Sequence, residues 1–117
     1  MIEEIIIHYL GHEQALPVYA ELPVAPPDEY ILLQRTGGAE ENLIREATVA
    51  VQTVTTESRF RAAQLAEALR TTMLGIVSRR EIFHCSVNAG PYDFTDSTTK
   101  AYRYQTVYTL YYKEVNL

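Results

Sequence analysis

The sequence predicts an α+β protein with a single sheet of four to five strands, mostly antiparallel or mixed. An N-terminal helix and a central helix at about residues 58–77 are expected to pack on this sheet. Two observations support the prediction: one central stretch repeats apolar residues at 3.6-residue spacing, and the segments around it alternate or are continuously apolar, as strands are. The 117 residues fit one domain, 1–117, long enough to bury a core.

Periodicity predicts both helices. Apolar residues within 2–10 follow helical spacing, and Gly11 is expected to end this helix in a left-handed conformation. A strand is the alternative there, because the isoleucines at 5–7 favour sheets. The central helix is expected to begin near Ser58, with Thr56 or Ser58 as its N-cap. Its apolar stripe comprises Ala62, Leu65, Ala66, Leu69, Met73 and Ile76.

Five segments are predicted to be strands, with Gly and Pro residues between them. Their expected bounds are residues 18–22, 30–35, 44–54, 82–87 and 102–115. The second is expected to stop at Thr36-Gly37-Gly38, and residues 88–91 are expected to turn the chain after the fourth. Segment 44–54 is apolar on both faces, which predicts a central strand. The last segment is expected to be the longest, and its side chains Tyr102, Tyr104, Tyr108, Leu110 and Tyr112 should share one face.

Composition excludes several classes of protein. The net charge of −5 argues against direct nucleic-acid recognition, which depends on clustered Lys and Arg. A lone cysteine, Cys85, permits no intrachain disulfide. The acidic start does not resemble a signal peptide, and no apolar run reaches the ~20 residues that span a bilayer. A cytoplasmic protein without a membrane partner is therefore expected.

No residue pattern indicates catalytic, metal-binding or cofactor-binding chemistry. His84 and Cys85 are neighbours on a predicted strand and should therefore face opposite ways. His8 and His12 have helical spacing, but the expected helix end at Gly11 separates them. The acidic stretch around Asp93 is typical of turns, in which Asp side chains accept hydrogen bonds from nearby backbone. We therefore expect no enzyme activity and no cofactor.

Seven short motifs follow one another along the chain: PVYAELP at 17–23, YILLQRTGG at 30–38, VQT at 51–53, SR at 58–59, AxxLA at 62–66, YDFTD at 92–96 and YRYQ at 102–105. Their order resembles that in the small tail-terminator or head–tail joining (minor tail) proteins of long-tailed bacteriophages and prophages. The resemblance covers about residues 2–114. These motifs are patterns of packing and turns and carry no catalytic residues.

The resemblance implies a subunit of a ring, commonly a hexamer, at the head-proximal end of the phage tail. Such a ring stops polymerisation of the tail tube and joins the tail to the head. The expected partners are further copies of the chain, the tail-tube protein and the head–tail connector proteins. The expected location is the virion neck, with the host cytoplasm during assembly.

Two alternatives remain open at this stage. One is a head-closure or tail-completion protein of the same virion. The other is a small cytoplasmic ligand-binding or enzymatic domain, whose pocket would use the hydroxyls of Tyr102, Tyr104 and Tyr108. That face is excluded as a pocket if the central helix covers it.

Two predicted loops, 37–43 and 92–99, are candidates for contacts between subunits or with partners, because loops on a rigid sheet commonly carry binding. Ordinary surface loops are the alternative. The tyrosine-rich last strand is either a sheet edge that serves as a contact or a buried strand. The candidate contact residues are Gly37, Gly38, Glu40, Glu41, Asn42, Leu43, Tyr92, Asp93, Phe94, Asp96 and Arg103.

Overall fold

Two helices and five strands follow one another in the predicted order, helix–strand–strand–strand–helix–strand–strand. The computed structural model describes residues 1–41 and 43–113, with the side chain of Glu41 left out. The elements are α1 (Ile2–Glu13), β1 (Val18–Tyr19), β2 (Glu29–Glu41), β3 (Ile44–Thr55), α2 (Arg59–Leu74, continued by a 3-10 turn at Gly75–Ser78), β4 (Ile82–Asp93) and β5 (Tyr102–Tyr112).

The strands form one mixed sheet in the order β1-β2-β3-β5-β4. Only β1 and β2 run parallel; the other neighbours are antiparallel. The predicted α+β class, with a single sheet and two helices, is confirmed. β3 lies between β2 and β5, as its apolar faces predicted.

One face of the sheet carries the hydrophobic core. Alternate residues of β3 and β5 point to this face, and α2 packs across β3, β4 and β5 while α1 lies over β1 and β2. The strand side chains buried there include Ile31, Leu33, Ala47, Val49, Val51, Tyr108, Leu110 and Tyr112. From the predicted stripe of α2, Ala62, Ala66, Leu69 and Met73 are buried, as is Ile76 just beyond it. The helices therefore cover the face that the alternation predicted.

Polar contacts fix the start of α2 on the sheet. Ser58 is the N-cap, as expected, and its Oγ accepts a hydrogen bond from the backbone N–H of Arg61 at 3.0 Å. The Arg61 guanidinium binds both carboxylate oxygens of Glu29, at 3.0 and 3.1 Å. Hydrogen bonds from Arg61, and then from Thr55, hold the pKa of Glu29 below its usual value. This bidentate pair joins the helix to the first residue of β2.

The prediction that α1 ends at Gly11 is wrong, because the helix continues to Glu13. Gly11 does not adopt a positive φ. The helix end is instead satisfied by Gln14, whose side-chain amide donates to the Leu10 carbonyl at 3.0 Å and to the Leu16 carbonyl at 2.8 Å. The Gln14 side chain therefore satisfies a backbone carbonyl at the end of the helix, and no glycine in a left-handed conformation is needed there.

β2 and β4 extend well past their predicted ends. β2 absorbs a register shift between Arg35 and Gly37 and continues to Glu41. β4 absorbs shifts on both sides of Ala89 and continues through a cis Gly90-Pro91 bond to Asp93. Proline is tolerated there because β4 is an edge strand, where one side of the backbone needs no ladder partner.

The bounds of β1 and β5 also need correction. β1 has only two residues, so the predicted strand at 18–22 is too long. β5 ends at Tyr112 and is not the longest strand; Val115, at its predicted end, lies outside the described residues. β5 is not a sheet edge, since β3 and β4 flank it. Tyr108 and Tyr112 are fully buried on the covered face, which confirms the buried interpretation of this strand.

Two buried tyrosines test how much a hydrogen-bonded hydroxyl contributes to the stability of the core. The hydroxyl of Tyr112 is buried and has no hydrogen-bond partner among the described residues, whereas the hydroxyl of Tyr9 donates to the Thr72 carbonyl at 2.8 Å. We expect Tyr112→Phe to leave the free energy of unfolding unchanged or to raise it. Tyr9→Phe should lower it by about 1 kcal/mol. Urea titrations of both variants measure the difference, and equal losses in the two would contradict it.

Candidate interaction surface

The first group of candidate contact residues lies on the β2–β3 hairpin and not in a loop. Gly37, Gly38, Glu40 and Glu41 belong to β2, so the predicted loop at 37–43 is wrong. Asn42 lies outside the described residues. Gly38 permits this pairing, because a Cβ there would come within 2.7 Å of the Glu46 carbonyl oxygen on β3.

Two exposed aliphatic side chains lie at the tip of this hairpin. Leu43 has a positive φ of 69° and is 75% exposed, and Ile44 beside it is also exposed. Behind the tip, Glu40 and Arg45 pair across the two strands at 3.7 Å. Both partners are substantially exposed, so this ion pair contributes little to stability. The hairpin therefore presents a leucine and an isoleucine to solvent at one end of the sheet.

The second group of candidates lies where β4 ends and β5 begins. Tyr92 and Asp93 are the last residues of β4, so the predicted loop at 92–99 starts two residues too early. Phe94 follows, is exposed, and its ring centroid lies 6.1 Å from that of Tyr92. Phe60, in the first turn of α2, is exposed as well. This end of the sheet therefore presents several aromatic rings to solvent.

Turn chemistry holds the loop after β4, as predicted. Asp93 accepts a hydrogen bond from the Thr95 N–H at 2.9 Å, and Asp96 accepts from the Thr98 N–H at 2.9 Å. Hydrogen bonds from these threonines lower the pKa of both carboxyl groups. Arg59 adds an ion pair to Asp93 at 3.0 Å. Both acids are thus used to shape the loop and dock it on α2.

The two groups of candidates are far apart. Gly37 lies opposite Thr48 on β3 and Glu40 lies opposite Arg45. Asp93 pairs with Tyr104 of β5, which pairs with Thr53 of β3. About five to eight residues of strand therefore separate the two groups, which corresponds to roughly 17–27 Å. The structure therefore does not bring the candidates together into one site. It places them at opposite ends of one sheet.

Arg103 belongs to a polar network on the sheet face that the helices do not cover. Its guanidinium donates to the Gln52 side-chain oxygen at 3.2 Å, and the Gln52 amide donates to the Gln105 oxygen at 3.1 Å. The Gln105 amide donates in turn to the Tyr92 hydroxyl. Sequence reasoning missed Gln52 and Gln105. Their alternation with apolar neighbours could have indicated that they lie on the uncovered face of the sheet. It could not have indicated that these two residues, 53 positions apart, would hydrogen-bond to each other.

Two tyrosines on this open face test whether the network stabilises the sheet. Tyr92 is 37% exposed and Tyr111 is 38% exposed, but only Tyr92 takes part in the network. Tyr92→Phe leaves a largely buried Gln105 amide without its acceptor, so we expect a loss of about 1 kcal/mol in unfolding free energy. Tyr111→Phe is the control and should change it by much less. Thermal or urea unfolding measures both, and equal effects would count against the network.

His84 and Cys85 face opposite sides of the sheet, as predicted. His84 is exposed and its ring lies 5.6 Å from that of Tyr111, whereas Cys85 is buried in the core. Phe83 is exposed, because a register shift between Ile82 and His84 turns its side chain to solvent. Burial raises the pKa of the Cys85 thiol to about 12. A thiol in this state is a poor nucleophile at neutral pH.

Thiol labelling measures this directly. In the native protein at pH 8, Cys85 should react with a maleimide or a disulfide reagent far more slowly than a free thiol, because the thiolate is both scarce and enclosed. In denaturant, the same thiol should react fully. Fast stoichiometric labelling of the native protein would contradict the burial of Cys85.

His8 and His12 lie closer together than the sequence predicted, because α1 continues past Gly11. Their ring centroids are 4.8 Å apart. Among the described residues, no three His, Cys, Asp or Glu side chains form a group that could hold a metal ion. Two histidines alone do not make the four-ligand site that zinc prefers.

Two clefts lie on the helical side of the molecule. One, of about 520 Å³, lies between α1 and residues 79–81; the other, of about 270 Å³, lies between α2 and residues 14–16. Tyr102, Tyr104 and Tyr108 line neither cleft. Tyr108 is fully buried in the core against α2, so its hydroxyl is not open to a ligand. Within residues 1–41 and 43–113, no helix is both long and apolar enough to cross a membrane.

No protein-family model and no curated protein sequence matches this chain.

Proposed function

We propose that the protein is a structural part of a phage virion, a tail terminator or neck component that forms a ring between the tail tube and the head. The observation that carries this proposal is the placement of two separate apolar groups at opposite ends of one sheet. A ring subunit of this kind must contact two different neighbours, one on each side of the ring. The order of sequence motifs, which resembles that of tail terminators, supports the same function.

The composition of each end suits protein contacts. Leu43 and Ile44 protrude from the hairpin, and Phe60, Tyr92 and Phe94 are exposed at the other end. Aromatic side chains are enriched in the cores of interfaces, where a few buried anchor residues supply most of the binding free energy. In this proposal one end contacts the tail-tube protein and the other contacts the head–tail connector, with a hexamer as the expected ring.

The open sheet face differs from the two ends, because its central side chains are polar and hydrogen-bonded to one another. Its Gln52, Gln105 and Arg103 side chains hydrogen-bond one another, and Tyr108 is buried on the other face. The proposed protein is therefore an assembly part whose surfaces bind other proteins and catalyse nothing. A head-closure or tail-completion protein of the same virion would use the same two-ended design, and the binding partners distinguish these functions.

Tube-capping experiments test the proposal. Purified protein is examined by light scattering and negative-stain electron microscopy, alone and with a polymerising tail-tube protein. We expect rings, or rings that form on tube ends, and tubes that stop growing. A chain that stays monomeric and leaves tube growth unchanged would contradict the proposal. Binding to a portal or connector without any effect on tubes would indicate the head-closure alternative.

Three exposed apolar residues provide matched variants. Leu43→Ser changes the hairpin end, Phe94→Ser changes the opposite end, and Val24→Ser changes a fully exposed residue in the connection between β1 and β2. We expect one of the first two to lose tube capping and the other to lose head joining, while Val24→Ser keeps both. Wild-type behaviour of both end variants would show that the ends are not the contact surfaces.

A further inference from the structure

Both lateral edges of the sheet have backbone groups that no strand pairs in the described part of the chain. β1 lies beside β2 only at Ile31 and Leu32, so the outer side of β2 is open from Leu33 onwards. β4 is the strand at the other edge. Residues 34–40 of β2 are all exposed. Such edges are templates for pairing with another strand.

The backbone direction on β2 can be read from its contact with the chain before β1. The N–H of Ile31 donates outward to the Pro17 carbonyl at 2.9 Å. Because backbone groups alternate along an antiparallel strand, the N–H groups of Leu33 and Arg35 also point outward. Arg35 pairs with Val49 on its inner side and has no described strand on its outer side, so its outward N–H is available to a further partner.

Each open edge has a short stretch without the prolines and charged residues that usually block edge pairing. Residues 36–39 of β2 are Thr-Gly-Gly-Ala, and residues 84–87 of β4 are His-Cys-Ser-Val; neither stretch contains a proline or a Lys, Arg, Asp or Glu. On β4, register shifts fall before His84 and after Val87. Proteins normally protect exposed edges with charges, prolines or bulges. Here the bulges restrict any pairing on β4 to residues 84–87 and leave that stretch regular.

Residues 35–39 of β2 and 84–87 of β4 lie at the same level along the strands, and the register shift of β2 falls inside the first stretch. The register connects them through β3 and β5 in rows of directly paired residues. One row is Ala39–Glu46–Tyr111–His84, and another is Arg35–Val49–Tyr108–Val87. Directly paired residues share a sheet face. Ala39 and His84 therefore lie at equal height and on the same, open face.

The strand directions are also compatible. β2 is antiparallel to β3, β3 to β5 and β5 to β4, so β4 runs antiparallel to β2. When a second copy is placed beside the first with its sheet in the same orientation, β4 of one copy meets β2 of the next in antiparallel pairing. A rotation about an axis along the strands, without any rise, achieves this placement. That operation is the one that closes a ring of identical subunits.

We propose that copies of this chain join by sheet extension, with residues 84–87 of one copy paired to residues 35–39 of the next. This inference rests on the proposed function and names the contact that builds the ring. It leaves the two ends of the sheet on opposite sides of the ring, free for the tail tube and the head connector.

Disulfide cross-linking tests the pairing with two engineered cysteines, Ala39→Cys and His84→Cys, in a Cys85→Ala background. Within one chain these positions are three strand spacings apart, about 14 Å, and a disulfide needs Cα atoms within about 7 Å. Any disulfide must therefore join two copies. Under oxidation we expect most chains to appear in a ladder of linked oligomers that ends at the ring size.

The control is Gln34→Cys with His84→Cys in the same background. Gln34 is exposed on the same edge and face as Ala39. However, the register through β3 and β5 places Gln34 level with Ala89 of β4, which is about five residues or 16 Å from His84. It should give little cross-linked product, as should each single-cysteine variant. Equal products from both pairs, or none from Ala39→Cys with His84→Cys, would overturn the inference. Rings of wild-type protein without the specific ladder would overturn only the pairing. Absence of both rings and ladder, with the tail-tube protein present as well as without it, would overturn the proposed function too.

Discussion

The antiparallel pairing of β3 with β5 is the constraint on which the rest of the structure depends. It runs without a register shift from Arg45–Tyr112 to Thr55–Tyr102. It places Val49, Val51 and the buried tyrosines of β5 on one face, where α2 and α1 cover them. A slip of one residue would turn these side chains to the opposite face and expose the core positions.

The same pairing sets the geometry of the surfaces that remain free. Irregularities are confined to the outer strands, at Thr36 on β2 and at Phe83, Asn88 and the Gly90-Pro91 bond on β4. Because the centre is regular, the levels of the two outer edges are fixed relative to each other, and the hairpin tip is held at the far end from the loop after β4. A regular central pair of strands with irregular outer strands suits a subunit whose proposed contacts lie at the edges and ends of its sheet.

The sequence predicted the elements that are decided locally or by strong periodicity. The α2 stripe, the Ser58 cap, the central position of β3 and the opposite faces of His84 and Cys85 were all confirmed. Three of the failures have a common origin: Gly11, Gly37-Gly38 and Gly90-Pro91 indicate breaks when only local preference is considered. The Gln14 side chain satisfies the end of α1, and pairing with neighbouring strands holds β2 and β4 in the sheet despite their local preferences. The candidate surfaces were less predictable, because strand order and the level of each edge depend on pairings between distant residues.

Amide hydrogen exchange on assembled and monomeric protein is the most direct measurement of the central claim, that this chain acts through its sheet margins. The account predicts that residues 35–39 and 84–87 gain protection together on assembly, while the β3–β5 core is protected in both states. Protection gained only on the open face around Gln52 and Gln105, with both edges unchanged, would contradict it.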